Sequence, residues 1–267
     1  MRSIVLDIIS LTTWQKILLL LLSLSNILFS VIDFNHFYNP HAYPYVLQWD
    51  NNVAKGIEGW RLYFILLSGV AAFSGVISVV LIMFGKYSNF FWGIINCLTY
   101  GAFAIAYSFG GDAQFKLFVS LPLQFFGLWK WNKSKEGSSV RSCSVFQMAI
   151  LFIIGGGLAS GLYYEIPIFT KSITGTYPYL VYQTPRILDS ISTACNIIGM
   201  FLLVYECWQQ YIFWLIVDSI QIAIYAGVGH FGLNINILMM WSVYWISCIC
   251  GGIIWYRRYQ TEKTANN

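Results

Sequence analysis

FFWGIINCLTYGAFAIAYSFGGD (90–112) and IFWLIVDSIQIAIYAGVGHFGLN (212–234) are apolar stretches of equal length that align at a constant offset of 122 residues. Trp92 falls on Trp214, Asn96 on Asp218, Phe109–Gly110 on Phe231–Gly232 and Asp112 on Asn234. The same offset sets Ser68 on Ser190 and Ser74 on Asn196 in the segments before them. A helix needs about 20 mostly apolar residues to cross hydrocarbon. Both stretches meet that length, and the polar side chains Asn96 and Asp218 stand at the same depth in the two. The pattern is that of a duplicated membrane-spanning unit.

The rest of the chain fits this reading. Hydrophobic residues make up 58% of it, charged residues 10%, and the mean hydropathy is +0.64. Soluble domains carry about 25% charged residues, so lipid must cover most of this surface. Eight stretches are long and apolar enough to span: 16–32, 61–84, 90–108, 115–131, 145–164, 185–205, 212–228 and 235–256. No small-x-small cleavage site follows the first, Leu-rich stretch, so it reads as a retained anchor helix rather than a secretory signal. The predicted fold is an all-α membrane protein of about eight transmembrane helices. Two parallel three-helix repeats, 60–132 and 178–258, are joined by a linker helix with its loops, 133–177. An extra N-terminal helix and an external loop occupy 1–59, and 259–267 form a tail. In the linker, Gly155–Gly157, Ala159 and Gly161 suit close helix packing.

Charge sets the orientation. Ten of the 15 Lys and Arg residues fall on the side of the termini, including the run 130–141. Lys55, Arg61, Lys116, Lys171 and Arg186 fall on the other. Basic residues collect on the cytoplasmic side, so both termini are expected in the cytoplasm and the chain in the inner (cytoplasmic) membrane. The net charge of +4 therefore reports topology, and no nucleic-acid partner is expected. The six cysteines read as small packing residues. His36 and His41 lie in the loop NHFYNPHAYP (35–44) without a third ligand at a supporting spacing, so an ordered cap is expected there and no metal. There is no nucleophile–base pair and no phosphate loop. The chain is not expected to be an enzyme or to hold a cofactor.

Polar side chains inside the spans mark the candidate site, because they are costly in hydrocarbon unless they face a cavity or a partner. In the seventh span Trp214, Asp218, Gln221 and Tyr225 recur at i, i+4, i+7 and i+11, one helical face. Asp189, Thr193 and Asn196 form a similar face in the sixth, and Asn96 and Tyr100 in the third. Gln124 stands in the fourth and Tyr244 in the eighth. Two readings compete. The amides and hydroxyls staple helices together, or they line a solute path. Asp189 can pair locally with Arg186, and Trp129 can serve as an interfacial belt residue. Carboxylates, amides and aromatic faces together suit a planar, cationic or polyhydroxylated solute.

The stretch LDSISTACNIIGMFLLVYECWQQYIFWLIVDSIQIAIYA (188–226) resembles the second half of the PnuC family of vitamin transporters. GKYSNFFWGIINCLTYGAFAIAYSFGGDAQFKLFVSLPLQFFGLWKWNK (85–133) resembles its first half. The most specific segments are Asp189 to Thr193, Glu206 to Trp214 with Asp218, and Gln124–Gly127–Trp129. Family members commonly show Glu-Gln-Trp followed three residues on by Trp; here Gln209–Gln210–Tyr211 precedes Trp214. The resemblance implies a SWEET-like fold, a homotrimer and facilitated import of nicotinamide riboside, trapped inside by phosphorylation. Related members take thiamine or other vitamins and nucleosides, and thiamine is also an aromatic cation. On this reading Asn96, Gln124, Trp214, Asp218 and Gln221 contact the solute. Thr193 and Asn196 add ribose contacts, and Tyr100, Tyr225 and Tyr244 close the path. Asp189 and Trp129 complete the candidate set.

Overall fold

The computed structural model describes residues 4–56, 58–106, 108–133, 139–175, 183–228, 233 and 235–266. The repeat partners at 231, 232 and 234, and the expected boundary at 177/178, lie outside the described residues. The described chain is helical almost throughout. In order it forms α1 (Ile4–Ile9), α2 (Thr13–Val31), α3 (Asn35–Tyr38), α4 (Gln48–Ala54), α5 (Trp60–Leu66), α6 (Ser68–Met83) and α7 (Asn89–Ala106). Then come α8 (Gly110–Gln114), a π-helical turn (Phe115–Ser120), α9 (Leu121–Lys133), α10 (Val145–Thr174), α11 (Gln183–Val204), α12 (Gln210–Tyr225) and α13 (Ile235–Asn266). Among the described residues six helical stretches are long and apolar enough to cross a membrane, and α12 is a shorter apolar helix.

Local chemistry sets the ends of the long helices. Thr12 opens α2 with a capping box: its hydroxyl accepts from Gln15 N, and its own N–H donates to Gln15 Oε1 at 2.9 Å. Ser144 and Gln147 repeat the device at α10. Each box satisfies backbone N–H groups that the first turn leaves unpaired. Gly175, with φ of +69°, closes α10 in the left-handed conformation that an L side chain resists.

Six helices form a closed ring. α6 packs on α7 and α7 on α9; α11 packs on α12 and α12 on α13. Contacts of α9 with α11, and of α13 with α6, join the two triplets. α2 lies against α6 and α13, and α10 against α11. Large apolar side chains on the outside, such as Val145 at 89% exposure, face where lipid would be.

Three features depart from the expected spans. The fourth begins at Gly110 and contains the π turn. α12 ends at Tyr225, so its 16 residues rise only about 24 Å. α13 continues through the expected tail to Asn266, where Glu262 accepts from Val140 N at 2.8 Å and pairs with Arg258.

The two ends of the bundle differ. At one, α1 is tied to the α6–α7 turn: Ser88 N donates to Asp7 Oδ2 at 3.1 Å and Lys86 Nζ to Ser10 Oγ at 2.8 Å. The C-terminal part of α13 gathers at the same end, with Arg258 against Gly85. At the other end the loop after α2 folds into an ordered cap. Buried Asp33 accepts from Asn35 Nδ2 through one oxygen and from Asn51 Nδ2 through the other, both at 2.8 Å. Asn35 Oδ1 in turn accepts from Ile235 N at 2.8 Å, which ties the cap to the start of α13.

Candidate functional site: a central chamber

Inside the helix ring lies a chamber of about 150 Å³. Seven of the twelve sequence candidates line it: Asn96 and Tyr100 from α7, Gln124 from α9, Asn196 from α11, Trp214 and Asp218 from α12, and Tyr244 from α13. These residues are far apart in the chain and meet because both triplets turn one face inward.

Close approach requires small residues. A Cβ at Gly75 of α6 would fall 2.8 Å from both Asn96 Nδ2 and Tyr244 OH, so these side chains meet over a bare backbone. A Cβ at Gly93 of α7 would come within 2.4 Å of the Gln124 amide. Asn96 combines the two competing roles. Its Nδ2 donates to Ala71 O at 2.9 Å, a staple from α7 to α6, while its Oδ1 accepts from Lys116 Nζ at 2.9 Å.

Lys116 was counted among the basic residues of the external surface, and the structure corrects this. Lys116 lines the chamber, with its ammonium 5.3 Å from the centre of the Tyr100 ring. Tyr100 OH donates to Asp112 Oδ2 at 3.0 Å, and buried Asp112 also lines the chamber. Asp112, Lys116, Ser120 and Gln124 stand four residues apart and all face inward. Four-residue steps on an ideal α-helix drift by about 40° each. The π turn takes more residues per turn, which removes much of that drift and keeps the row on one side. The spacing itself was visible in the sequence and is the signal that would have found Asp112, Lys116 and Ser120.

Tyr211 is a further chamber residue outside the candidate set. Its ring meets Trp214 edge to face, with centroids 5.7 Å apart. Several polar atoms on the wall are buried without a protein partner: Tyr211 OH, Trp241 Nε1 and Gln124 Oε1. Buried polar atoms in native proteins nearly always find a partner. Among the described residues, no hydrogen bond or ion pair engages the Asp218 carboxylate either. The chamber therefore presents unused donors and acceptors beside an aromatic pair, which is the chemistry of a solute site. With all three ionised, Asp112, Asp218 and Lys116 leave it one negative charge.

The other five candidates lie elsewhere. Gln221 is buried and donates to Ser192 Oγ at 3.2 Å, a staple between α12 and α11. Asp189 and Thr193 pack against Gly111, where a Cβ would fall 2.5 Å from Asp189 Oδ1 and 2.6 Å from Thr193 Oγ1. Arg186 turns to the Tyr163 carbonyl and lies over that ring, 3.8 Å from its centre. Tyr225 lines a second cavity on the cap side. Trp129 is 55% exposed, stacks with Phe126 and lies under the Lys133 ammonium. The repeat partners also diverge: Trp214 lines the chamber, whereas Trp92 packs against Phe73 with its indole N–H buried and unpaired.

Comparison with known proteins agrees with this architecture. Residues 65–257 match the family described as Nicotinamide mononucleotide transporter. Two curated relatives are each named nicotinamide riboside transporter PnuC. The one from Neisseria mucosa is 23% identical over 203 residues, covering 71% of each chain. The one from Haemophilus influenzae is 24% identical over 195 residues, covering 71% of this chain and 78% of that protein. The fold is similar to a crystal structure of the vitamin B3 transporter PnuC, with a TM-score of 0.62, 19% identity and 94% of both chains covered. Fold and family together define a multi-pass membrane transporter, not an enzyme. The chain belongs to the nicotinamide mononucleotide transporter family.

Proposed function

We propose that this protein imports nicotinamide riboside by facilitated diffusion, and that phosphorylation inside the cell makes uptake directional. The observation that carries the reading is the central chamber, in which Asp218, Trp214, Tyr211, Asn196, Asn96 and Gln124 converge. Nicotinamide riboside pairs a cationic pyridinium ring with a ribose. The aromatic pair and Asp218 suit the ring, and the amides suit the hydroxyls. With Asp112, Lys116 and Asp218 all ionised, the single negative charge they leave complements a monocation. The names of the two curated relatives support the same solute.

The accompanying arrangement is two parallel three-helix repeats around this chamber, 60–132 and 178–258. The matching contact order in the two halves of the ring supports it. Both termini face the cytoplasm across the inner membrane, in keeping with the basic residues at that end. A homotrimer fits the face of α10 at Gly156, Gly157 and Gly161, where an added Cβ would meet nothing within 4 Å.

The test is a binding titration on purified protein. Nicotinamide riboside is expected to bind, and Trp214→Ala to weaken it by about tenfold or more, the scale of a lost aromatic–cation contact in a desolvated site. Binding of thiamine in its place, with no competition from nicotinamide riboside, would sink the assignment while leaving the chamber as the site.

A further inference from the structure

A second cavity of about 160 Å³ lies between the central chamber and the cap. The two share Tyr100, Met240 and Tyr244 as a common wall, so they stand in series along one axis. Part of this vestibule comes from residues before 65, ahead of the stretch that matches the family. Its lining repeats the chemistry of the central chamber with different residues.

Four observations point to a ligand. Asn26 of α2 is 1% exposed and its Nδ2 donates to Leu22 O, but its Oδ1 is buried without a partner on the vestibule wall. Aromatic rings surround the space: Phe109 and Tyr225 meet edge to face, with centroids 6.2 Å apart, and Tyr43 and Phe103 add to the lining. Asp33 supplies a buried carboxylate whose named hydrogen bonds come from neutral amides. Finally, a cation already sits on one of the rings: Lys55 Nζ lies 3.7 Å from the centre of Tyr43. Desolvation lowers the Lys55 pKa while the Asp33 carboxylate opposes that shift.

We propose that the vestibule is a second, staging site for an aromatic monocation, which displaces the Lys55 ammonium from Tyr43 and meets Asn26 Oδ1 with a polar edge. It takes the choice of solute from the proposed function, but its geometry stands apart from the central chamber. Lys55 acts as a tethered competitor for the incoming charge. Its removal therefore tightens the site, whereas replacement of Asn26 by an apolar residue weakens it.

The test measures binding of N-methylnicotinamide, an aromatic monocation without ribose, to the full chain in nanodiscs. Trp214→Ala is the background, because it impairs the central chamber. That variant is expected still to bind the probe. Adding Lys55→Gln is expected to tighten binding, on the order of threefold to tenfold for one cation–aromatic contact, and adding Asn26→Leu to weaken it. No probe binding by Trp214→Ala overturns the proposal, as does binding that neither added substitution alters. Asn26→Leu and Lys55→Gln act at different elements of the wall, so misfolding of one leaves the other decisive. Loss of nicotinamide riboside affinity on Trp214→Ala alone tests the central chamber and its solute, which keeps the two failures distinct.

Discussion

Asp218 and Trp214 stand one helical turn apart on α12, and both line the chamber together with residues of α7 and α9. Their contribution was readable from the chain, because a carboxylate beside an aromatic residue in an apolar helix has few other uses. Gln221 belonged to the same stripe, yet it bonds Ser192. Periodicity locates a face to within about a quarter turn, and it cannot separate the centre of a cavity from a helix seam at its edge. Lys116 went the other way, from a basic residue assigned to the outer side to a chamber wall. Gly93 offers a sharp test at this scale. Gly93→Ala would press a methyl group on the flexible end of Gln124 and move that amide into the chamber. Nicotinamide riboside affinity is expected to fall severalfold, with the thermal unfolding midpoint changed little, because a terminal amide yields more readily than backbone. A large drop in the midpoint with unchanged affinity would contradict the placement of Gln124.

Among the elements, the cap and the fourth helix separate what pattern reveals from what it hides. An ordered loop was expected from the aromatic, Pro and His content of 35–44. What orders it is a buried carboxylate held by two asparagines, with Asn51 also accepting from Tyr45 N at 2.9 Å. The Asp33–Asn51 bond joins residues 18 apart, and no local propensity reports it. Asn51→Ala should remove its one hydrogen bond to the buried Asp33 carboxylate, a bond worth about 1.5–3 kcal/mol. Hydrogen exchange across 33–55 is expected to accelerate while exchange in α6 to α13 stays unchanged. Equal protection in the variant would show that Asp33 does not organise the cap. In the fourth helix the π turn was not foreseen. The row Asp112, Lys116, Ser120 and Gln124 that it aligns was there to be read.

For the whole molecule, facilitated diffusion predicts a definite flux behaviour. In proteoliposomes nicotinamide riboside should equilibrate across the bilayer without an ion gradient and accumulate only when an internal kinase consumes it. Accumulation driven by a sodium or proton gradient would replace that mechanism. The open face of α10 makes a separate prediction. Gly157→Leu should leave binding intact and lower the oligomeric mass measured by light scattering, because a bulky side chain blocks close helix approach. The sequence alone determined that this chain is an all-helical membrane protein, because hydropathy, length and the duplicated stretches are one-dimensional signals, and its segments 85–133 and 188–226 carried the resemblance to the PnuC family. Tertiary structure alone decided which polar residues share the chamber, where Lys116 points, and that a capped vestibule stands above it. Those outcomes depend on the rotation of each helix against its neighbours and on contacts between distant residues. The two stretches at 90–112 and 212–234 are alike in sequence, yet Trp214 faces the chamber and Trp92 the packed seam with Phe73.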